Sequence, residues 1–227
     1  MGQNPRTLMA GTGIRKIELP AIGIDISFDY IKKNKEKFEY KKEEGIYFVQ
    51  GDIRMLPFKE KVFDSIISIE VLEHIQEKEA IIHEFQRVSK NNAHLHLQTS
   101  TRYCEQLLGK LSKKYYFINT SNHHQNCIEG EEVKALVEKN EYFIISEEYL
   151  FSPRWFLICF FMDILQLDLN SSGNLTGKGA KLLQKIGYRL DDSLYPLFTF
   201  LNKKLHGRWN KYGKSILIEA VKRENHG

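Results

Sequence analysis

The 227-residue sequence predicts an α/β fold, a parallel sheet covered by helices on both faces, and three observations carry that expectation. Short β-branched or apolar runs alternate with stretches of helical spacing through the first 150 residues. Acidic residues follow the ends of successive runs about one strand–helix–strand unit apart. Hydrophobic residues (42%) and charged residues (27%) stand at the values of an ordinary globular chain, which excludes a disordered, collagen-like or polytopic membrane protein.

Residues 21–26 (AIGIDI), 46–50 (IYFVQ), 62–69 (VFDSIISI) and 94–99 (HLHLQT) read as strands bounded by turn-like flanks. Between them, the Lys-rich 28–38 and then 77–90, where Ala80, Ile81, Phe85 and Val88 fall near one face, read as helices. That alternation implies right-handed crossovers and places ligands beyond the carboxyl ends of the strands. A helix over 131–139, a strand over 142–150 (YFIISEEYL) and a last strand over 215–221 (SILIEAV) complete the frame. Residues 152–213 interrupt it with an aromatic run (RWFLICFFMDIL), a polar loop over 170–179 and an apolar helix candidate over 194–205. They read as a helical insertion in a single domain spanning 1–227.

Lys plus Arg (33) exceed Asp plus Glu (29) by only four, a field too weak to argue for nucleic acid. Cys104, Cys127 and Cys159 form no CxxC pair and suit neither a disulfide framework nor a zinc site, so a reducing cytoplasm is the simplest location. No signal-peptide pattern opens the chain, and Arg6 breaks the myristoylation pattern. The longest apolar stretch, 155–165, is interrupted by Asp163 and falls short of the roughly 18 to 20 residues that span a bilayer, so it can lie on a membrane but not cross one.

Asp25 follows an apolar strand and precedes a helix, where a carboxylate can accept two hydrogen bonds from a ribose diol; capping the helix is the competing role. Asp52 follows the next strand, and Leu56-Pro57-Phe58 comes shortly before Phe63-Asp64. Taken together, AIGIDIS, VQGDIRMLPFKEKVFDSIISIEVLEHI and EFQRVSKNNAHLHLQTST resemble the class I S-adenosylmethionine-dependent methyltransferases, particularly the methyltransferase type 11 group. The resemblance covers roughly residues 10 to 150, and SILIEAV matches the family's last, antiparallel strand. It implies a Rossmann-like, doubly wound and mostly parallel sheet with S-adenosylmethionine as cofactor.

It also implies residue roles. Asp25 would bind the adenosyl ribose, Asp52 the adenine amine, and the Ile53 backbone the ring. Ile69 and Glu70 would line the methionine moiety, with Glu73 and His74 at the rim. Gly11 and Gly13 would belong to the glycine loop that lets backbone approach the cofactor. That loop departs from the family pattern: Thr7 falls where an acid is usual and Met9 where the first glycine is usual, so a β-carbon and a thioether would crowd the approach. A fragment with its native start upstream, a degenerate but working loop, and lost cofactor binding all account for this. Lys90-Asn91-Asn92-Ala93 replaces the family's Lys-Pro-Gly-Gly turn, and Asn tolerates the left-handed conformation such a turn can need.

Methyl transfer requires no covalent nucleophile, but an alcohol acceptor benefits from a base, for which His74, His123 and His124 are candidates and His74 and His124 the preferred pair. His94 and His96 alternate along one strand without a third ligand, which argues against a metal. Trp155, Phe156, Leu157, Ile158, Phe160, Phe161 and Met162 form either a core helix or an apolar lid. Lys203, Lys204, Arg208, Lys211 and Lys214 around Trp209 and Tyr212 suit anionic headgroups. The expected activity is methylation, at oxygen, of a small-molecule or lipid-linked acceptor, with peripheral membrane contact through 152–213. The alternative is a non-catalytic module docking on a membrane or protein partner; a nicotinamide oxidoreductase fits worse, because Gly11-Thr12-Gly13 lacks the third glycine.

Overall fold

The computed structural model describes residues 6–11, 19–37, 45–116, 126–169, 175–177, 179–204 and 213–224. Seven strands form one sheet in the order β3-β2-β1-β4-β5-β9-β6. Strands β1 (Thr7–Gly11), β2 (Ala21–Asp25), β3 (Ile46–Gln50), β4 (Phe63–Ile69) and β5 (Ser89–Ser100) pair in parallel. β6 (Tyr142–Leu150) and β9 (Ser215–Lys222) close the far side, β9 running antiparallel to both its neighbours. The expected mostly parallel α/β sheet with an antiparallel last strand is therefore the fold observed.

β1 lies inside the sheet, and its sequence says why: Thr7, Leu8, Met9 and Ala10 are all buried, as a parallel strand covered on both faces requires. Thr7 and Met9 are strand residues, in register with Ala21 and Gly23 on one side and Ser65 and Ile67 on the other. The Met9 side chain packs with Ala21, Ile46, Phe48 and Ile67. The residue at the carboxyl end of β1 is Gly11, level with Ile69.

Between the strands lie α1 (Phe28–Lys37), α2 (Lys78–Val88) and α4 (Gly130–Lys139), close to their expected spans. Leu56-Pro57-Phe58 serves as a fastener. Leu56 is buried and its N–H donates to Glu84 Oε2 (2.7 Å), while Arg87 donates to the Phe58 and Leu56 carbonyls (2.8 and 3.0 Å) and Phe58 meets Phe63 edge to face. The loop after β3 is thereby pinned to α2. The expected turn at 90–93 is absorbed into β5, which starts at Ser89. Partner register jumps from Phe63↔Ser89 to Ser65↔His94, and the slack is taken up at Asn92, with φ 62°.

Helix α3 (Arg102–Leu111) was not expected, although Cys104, Leu107, Leu108 and Leu111 have its spacing. It packs with α5 (Pro153–Ile164) and α6 (Ala180–Lys204) around a second core containing Leu108, Tyr115, Ile158, Cys159, Met162 and Leu183. The aromatic run thus buries one face, while Phe160 and Ile164 stay exposed. The helix expected over 194–205 is the last part of a 25-residue helix starting at Ala180; the charges of its first half obscured the spacing of Leu183, Leu190 and Leu194. Asp191 of α6 accepts from Arg154 N (2.8 Å) and Ser152 Oγ (2.9 Å), so the N-terminus of α5 is capped by another helix. A short ribbon of β7 (Asp168–Leu169) and β8 (Leu175–Thr176) precedes α6, and residues 170–174 of the expected polar loop lie outside the described residues.

Gly130 opens α4 where a β-carbon would sit 2.0 Å from the Tyr149 hydroxyl oxygen and 2.9 Å from Ile216. Because Tyr149 is itself packed in the main core, Gly130→Ala is expected to destabilise the fold by about 1–3 kcal/mol in urea unfolding. Unchanged stability would show that the ring moves aside freely.

Candidate functional site

In an open sheet, a crevice forms where the strand order reverses, outside the carboxyl ends of the strands. Here the reversal falls between β1 and β4, and a cleft of about 560 Å³ opens there. It is lined by Ala10 of β1, Asp25 of β2, Asp52 and Ile53 after β3, and Glu70 and His74 after β4. Five residues expected from sequence at a binding or catalytic site therefore share one cavity: Asp25, Asp52, Ile53, Glu70 and His74. Gly11 ends β1 and Ile69 ends β4 beside it in the sheet, but neither lines the cleft. Gly13, His123 and His124 lie outside the described residues.

Each acid is held differently. Asp25 Oδ1 accepts from Ser27 N (2.8 Å), and Ser27 Oγ accepts from Tyr30 N (3.2 Å), so Ser27 caps α1 and Asp25 forms the turn before it. Asp52 is clasped by Arg54: Oδ1 accepts from Arg54 N (2.9 Å), and the guanidinium reaches Oδ2 through Nη2 (2.7 Å) and both oxygens through Nε (3.1 Å each). Arg54 also meets Glu77 across the cleft (3.3 Å). The hydrogen bonds from Arg54 keep the Asp52 carboxyl below its usual value. Arg54 was missed in the sequence reading; the spacing Asp-x-Arg was its only signal.

Glu70 has φ 53°, a left-handed conformation costly for a non-glycine residue, and it turns the chain from β4 toward the cleft. Its Oε1 accepts from Gln98 Nε2 (3.0 Å) and Ser215 Oγ (2.8 Å), and its Oε2 from Ser100 Oγ (2.7 Å). The fourth donor is the carboxyl of Glu73. Burial alone would raise the Glu70 pKa, but the hydrogen bond from Glu73, the Lys214 charge and the serine hydroxyls bring it down to about 2. Glu73 is fully buried; its Oε2 accepts from Thr99 Oγ1 (3.0 Å) while Oε1 meets no donor among the described residues. Burial and the Glu70 carboxylate raise Glu73 well above the ordinary range while Glu70 is held down, so of the two Glu73 is the carboxyl that takes up a proton first as pH falls.

Behind this pair lies a buried cation. Lys214 Nζ donates to Ser100 Oγ (2.9 Å) and to Glu105, whose other oxygen accepts from Tyr115 Oη (2.9 Å). The ammonium stands 5.6 Å from the centroid of Trp155. This corrects the placement of Lys214 among surface basic residues, since it is buried; the half-buried Trp155 ring against it accords with the core alternative for the aromatic run. The polar chain Glu70, Ser100, Lys214, Glu105, Tyr115 links the cleft to α3 and the insertion. His74, in a one-turn 3₁₀ segment (Leu72–His74), is exposed at the rim. Burial pushes the Cys104 thiol up to about 12 and those of Cys127 and Cys159 higher still, leaving them unreactive.

The Glu70–Glu73 pair gives the protein a distinctive pH response. A raised Glu73 contributes stability that is complete below about pH 4.5, the usual glutamate value, and is lost as pH rises toward its folded value. Glu70 contributes in the opposite sense, above 4.5, and that part is lost as pH falls through about 2. Glu73→Gln, which keeps a donor toward Glu70 without needing a proton, is therefore expected to be more stable than the wild type at pH 7. The gap should close as pH falls toward 4.5; a gap independent of pH would place the proton elsewhere. Lys214→Met should cost about 3–5 kcal/mol by leaving Glu105 buried without its cation.

Residues 8–97 match the family model described as a methyltransferase domain. A segment of 51 residues is 43% identical to norajmaline N-methyltransferase of Rauvolfia serpentina, spanning 22% of this chain but only 18% of that enzyme. Among solved structures, phosphoethanolamine N-methyltransferase 2 of Haemonchus contortus in complex with S-adenosyl-L-methionine superposes with a TM-score of 0.60 at 18% identity, over 99% of this chain and 50% of that one. The cyclase SpnF superposes with a TM-score of 0.58 at 16% identity, over 97% and 75% of the two chains. At such identities these structures speak for the fold alone. Residues 8–97 thus match a methyltransferase domain, and the chain has the fold of the class I S-adenosylmethionine-dependent methyltransferases.

Proposed function

We propose that the chain binds S-adenosylmethionine in the cleft at the β1–β4 reversal and transfers its methyl group to an oxygen of a small-molecule or lipid-linked acceptor. The observation that carries this reading is the convergence of Asp25, Asp52 and Glu70, from three successive strand ends, on one cleft of a size suited to a nucleoside-containing ligand. Four carboxylates, Asp25, Asp52, Glu70 and Glu77, against one arginine suit a cation bearing a ribose diol and an exocyclic amine, so the residues present fit the cofactor. When bound, it supplies an electrophilic methyl group on a sulfonium.

The chain's own work is alignment and charge. Asp25, fixed by its turn before α1, presents a carboxylate to the ribose hydroxyls. Asp52, held by Arg54, offers an acceptor edge that a ligand amine must share with the guanidinium. Glu70 is already saturated with donors; it acts as a fixed negative charge that favours a cation, and neither takes a proton nor leaves its place. His74, exposed at the rim, is the side chain placed to accept the proton lost by an alcohol acceptor. Norajmaline N-methyltransferase and phosphoethanolamine N-methyltransferase are named for transfer to nitrogen, so the attacking atom is the part of this reading most exposed to test.

Isothermal calorimetry with S-adenosylmethionine and S-adenosylhomocysteine tests the cofactor assignment. Asp25→Ala removes up to two charge-assisted hydrogen bonds and is expected to weaken binding by about 30-fold, equivalent to roughly 2 kcal/mol. An unchanged affinity would reject the ribose role, and absence of binding by the wild type would reject the site. Binding of both nucleosides without turnover of any alcohol or amine acceptor would favour the non-catalytic module.

A further inference from the structure

Helix α6 carries on its outward side a stripe that the protein's own packing leaves uncovered. Leu182, Ile186, Arg189, Ser193, Leu197, Phe200 and Lys204 recur at intervals of three or four residues, which puts them along one face of a helix. All seven are exposed, the large apolar ones heavily so: Leu182 65%, Ile186 43%, Leu197 49% and Phe200 62%. The opposite face, with Ala180, Leu183 and Gly187, is buried against α5. The exposed stripe runs about 33 Å at 1.5 Å per residue. Exposed Phe160 and Ile164, near the end of α5, add apolar surface on the neighbouring helix.

Charge decides what this face fits. Lys181, Lys185, Arg189 and Lys204 are exposed on or beside the stripe, against one exposed acid, Asp192. A symmetric contact with a second copy would set these like charges against one another, while a neutral protein partner would leave them without purpose. An anionic bilayer surface satisfies both parts, accepting apolar side chains below the headgroups and ammonium and guanidinium groups among the phosphates. Among the described residues no helix is long and apolar enough to cross a membrane, so α6 would lie in the interface plane.

We infer that the outer face of α6 docks the protein on anionic lipid bilayers, laying Leu182, Ile186, Leu197 and Phe200 into the headgroup region with Lys181, Lys185, Arg189 and Lys204 on lipid phosphates. This deepens the proposed lipid-linked acceptor and rests on that reading, but its test does not require cofactor binding. It also narrows the membrane contact expected over 152–213 to one face of α6.

The test is cosedimentation of the full chain with phosphatidylcholine vesicles, with and without phosphatidylserine, at low and high salt. Binding is expected only with phosphatidylserine, weakening as salt screens the contact. Lys185→Glu with Arg189→Glu should weaken it by about 25-fold or more, near fivefold for each charge lost. Leu182→Ser with Phe200→Ser should weaken it at least as much while leaving the salt dependence in place. Because all four side chains are exposed, the variants should keep wild-type unfolding midpoints and S-adenosylmethionine affinity, read by calorimetry on the same samples. Failure of the wild type to bind at low salt, or equal binding to neutral vesicles, overturns the inference while leaving cofactor assignment intact. So does a dimer, seen by light scattering, that the serine variants abolish.

Discussion

The carboxylate of Glu70 is the constraint around which the rest of the site is arranged. It is an anion at the end of β4, turned inward by a left-handed backbone, and satisfied only because Gln98 and Ser100 of β5, Ser215 of β9 and the carboxyl of Glu73 all reach it. Three strands and the 3₁₀ turn are tied by it. A buried carboxylate with fewer donors would be expelled or neutralised, so the position of β9 against β5 is also what keeps the cleft negative.

The same logic extends outward. Lys214 sits one residue before the start of β9, and its charge is tolerated because Glu105, Ser100 and the Trp155 ring surround it. Glu105 comes from α3 and Trp155 from α5, so the helical additions do more than cover the sheet: they supply the counter-charge and the ring that let a lysine stand behind the cleft. Pairs of this kind contribute little net stability relative to apolar replacements, but they are intolerant of partial change, which fixes the relative placement of the elements they join.

Much of this fold was legible in sequence because parallel strands buried on both faces leave a strong signature. AIGID and FDSIISI marked the sheet, and the carboxylates that follow the strands marked the end at which the cleft opens. What escaped was what depends on distant partners. Lys214 lies in a basic, aromatic stretch and reads as surface, since nothing local announces that Glu105, more than a hundred residues earlier, neutralises it. Arg54 looked like loop filler until its guanidinium closed on Asp52. The strand over Thr7–Gly11 was hidden because its polar Thr7 and the glycine beyond it read as loop, although four consecutive residues of it are buried. Helix α3 has leucine spacing, but only Thr101 separates it from β5, so no glycine or proline marks where strand ends and helix begins.

The two strands that flank the insertion carry a consequence for how such proteins diversify. β6 and β9 are antiparallel neighbours, and Leu150 is paired directly with Ser215, so everything between them begins and ends at adjacent points on one edge of the domain. Topologically, α5, the small ribbon and α6 are the contents of one very long hairpin turn. Closing a longer or shorter turn costs only a slowly varying entropy, and the register of the two strands is set by their own side chains rather than by what joins them. The segment can therefore be exchanged, lengthened or rebuilt without disturbing the strand ends that hold Asp25 and Asp52, provided the replacement still delivers an aromatic ring to Lys214. A scaffold with such a cassette can keep one cofactor chemistry while its choice of partners changes by substitution of a single contiguous stretch of gene.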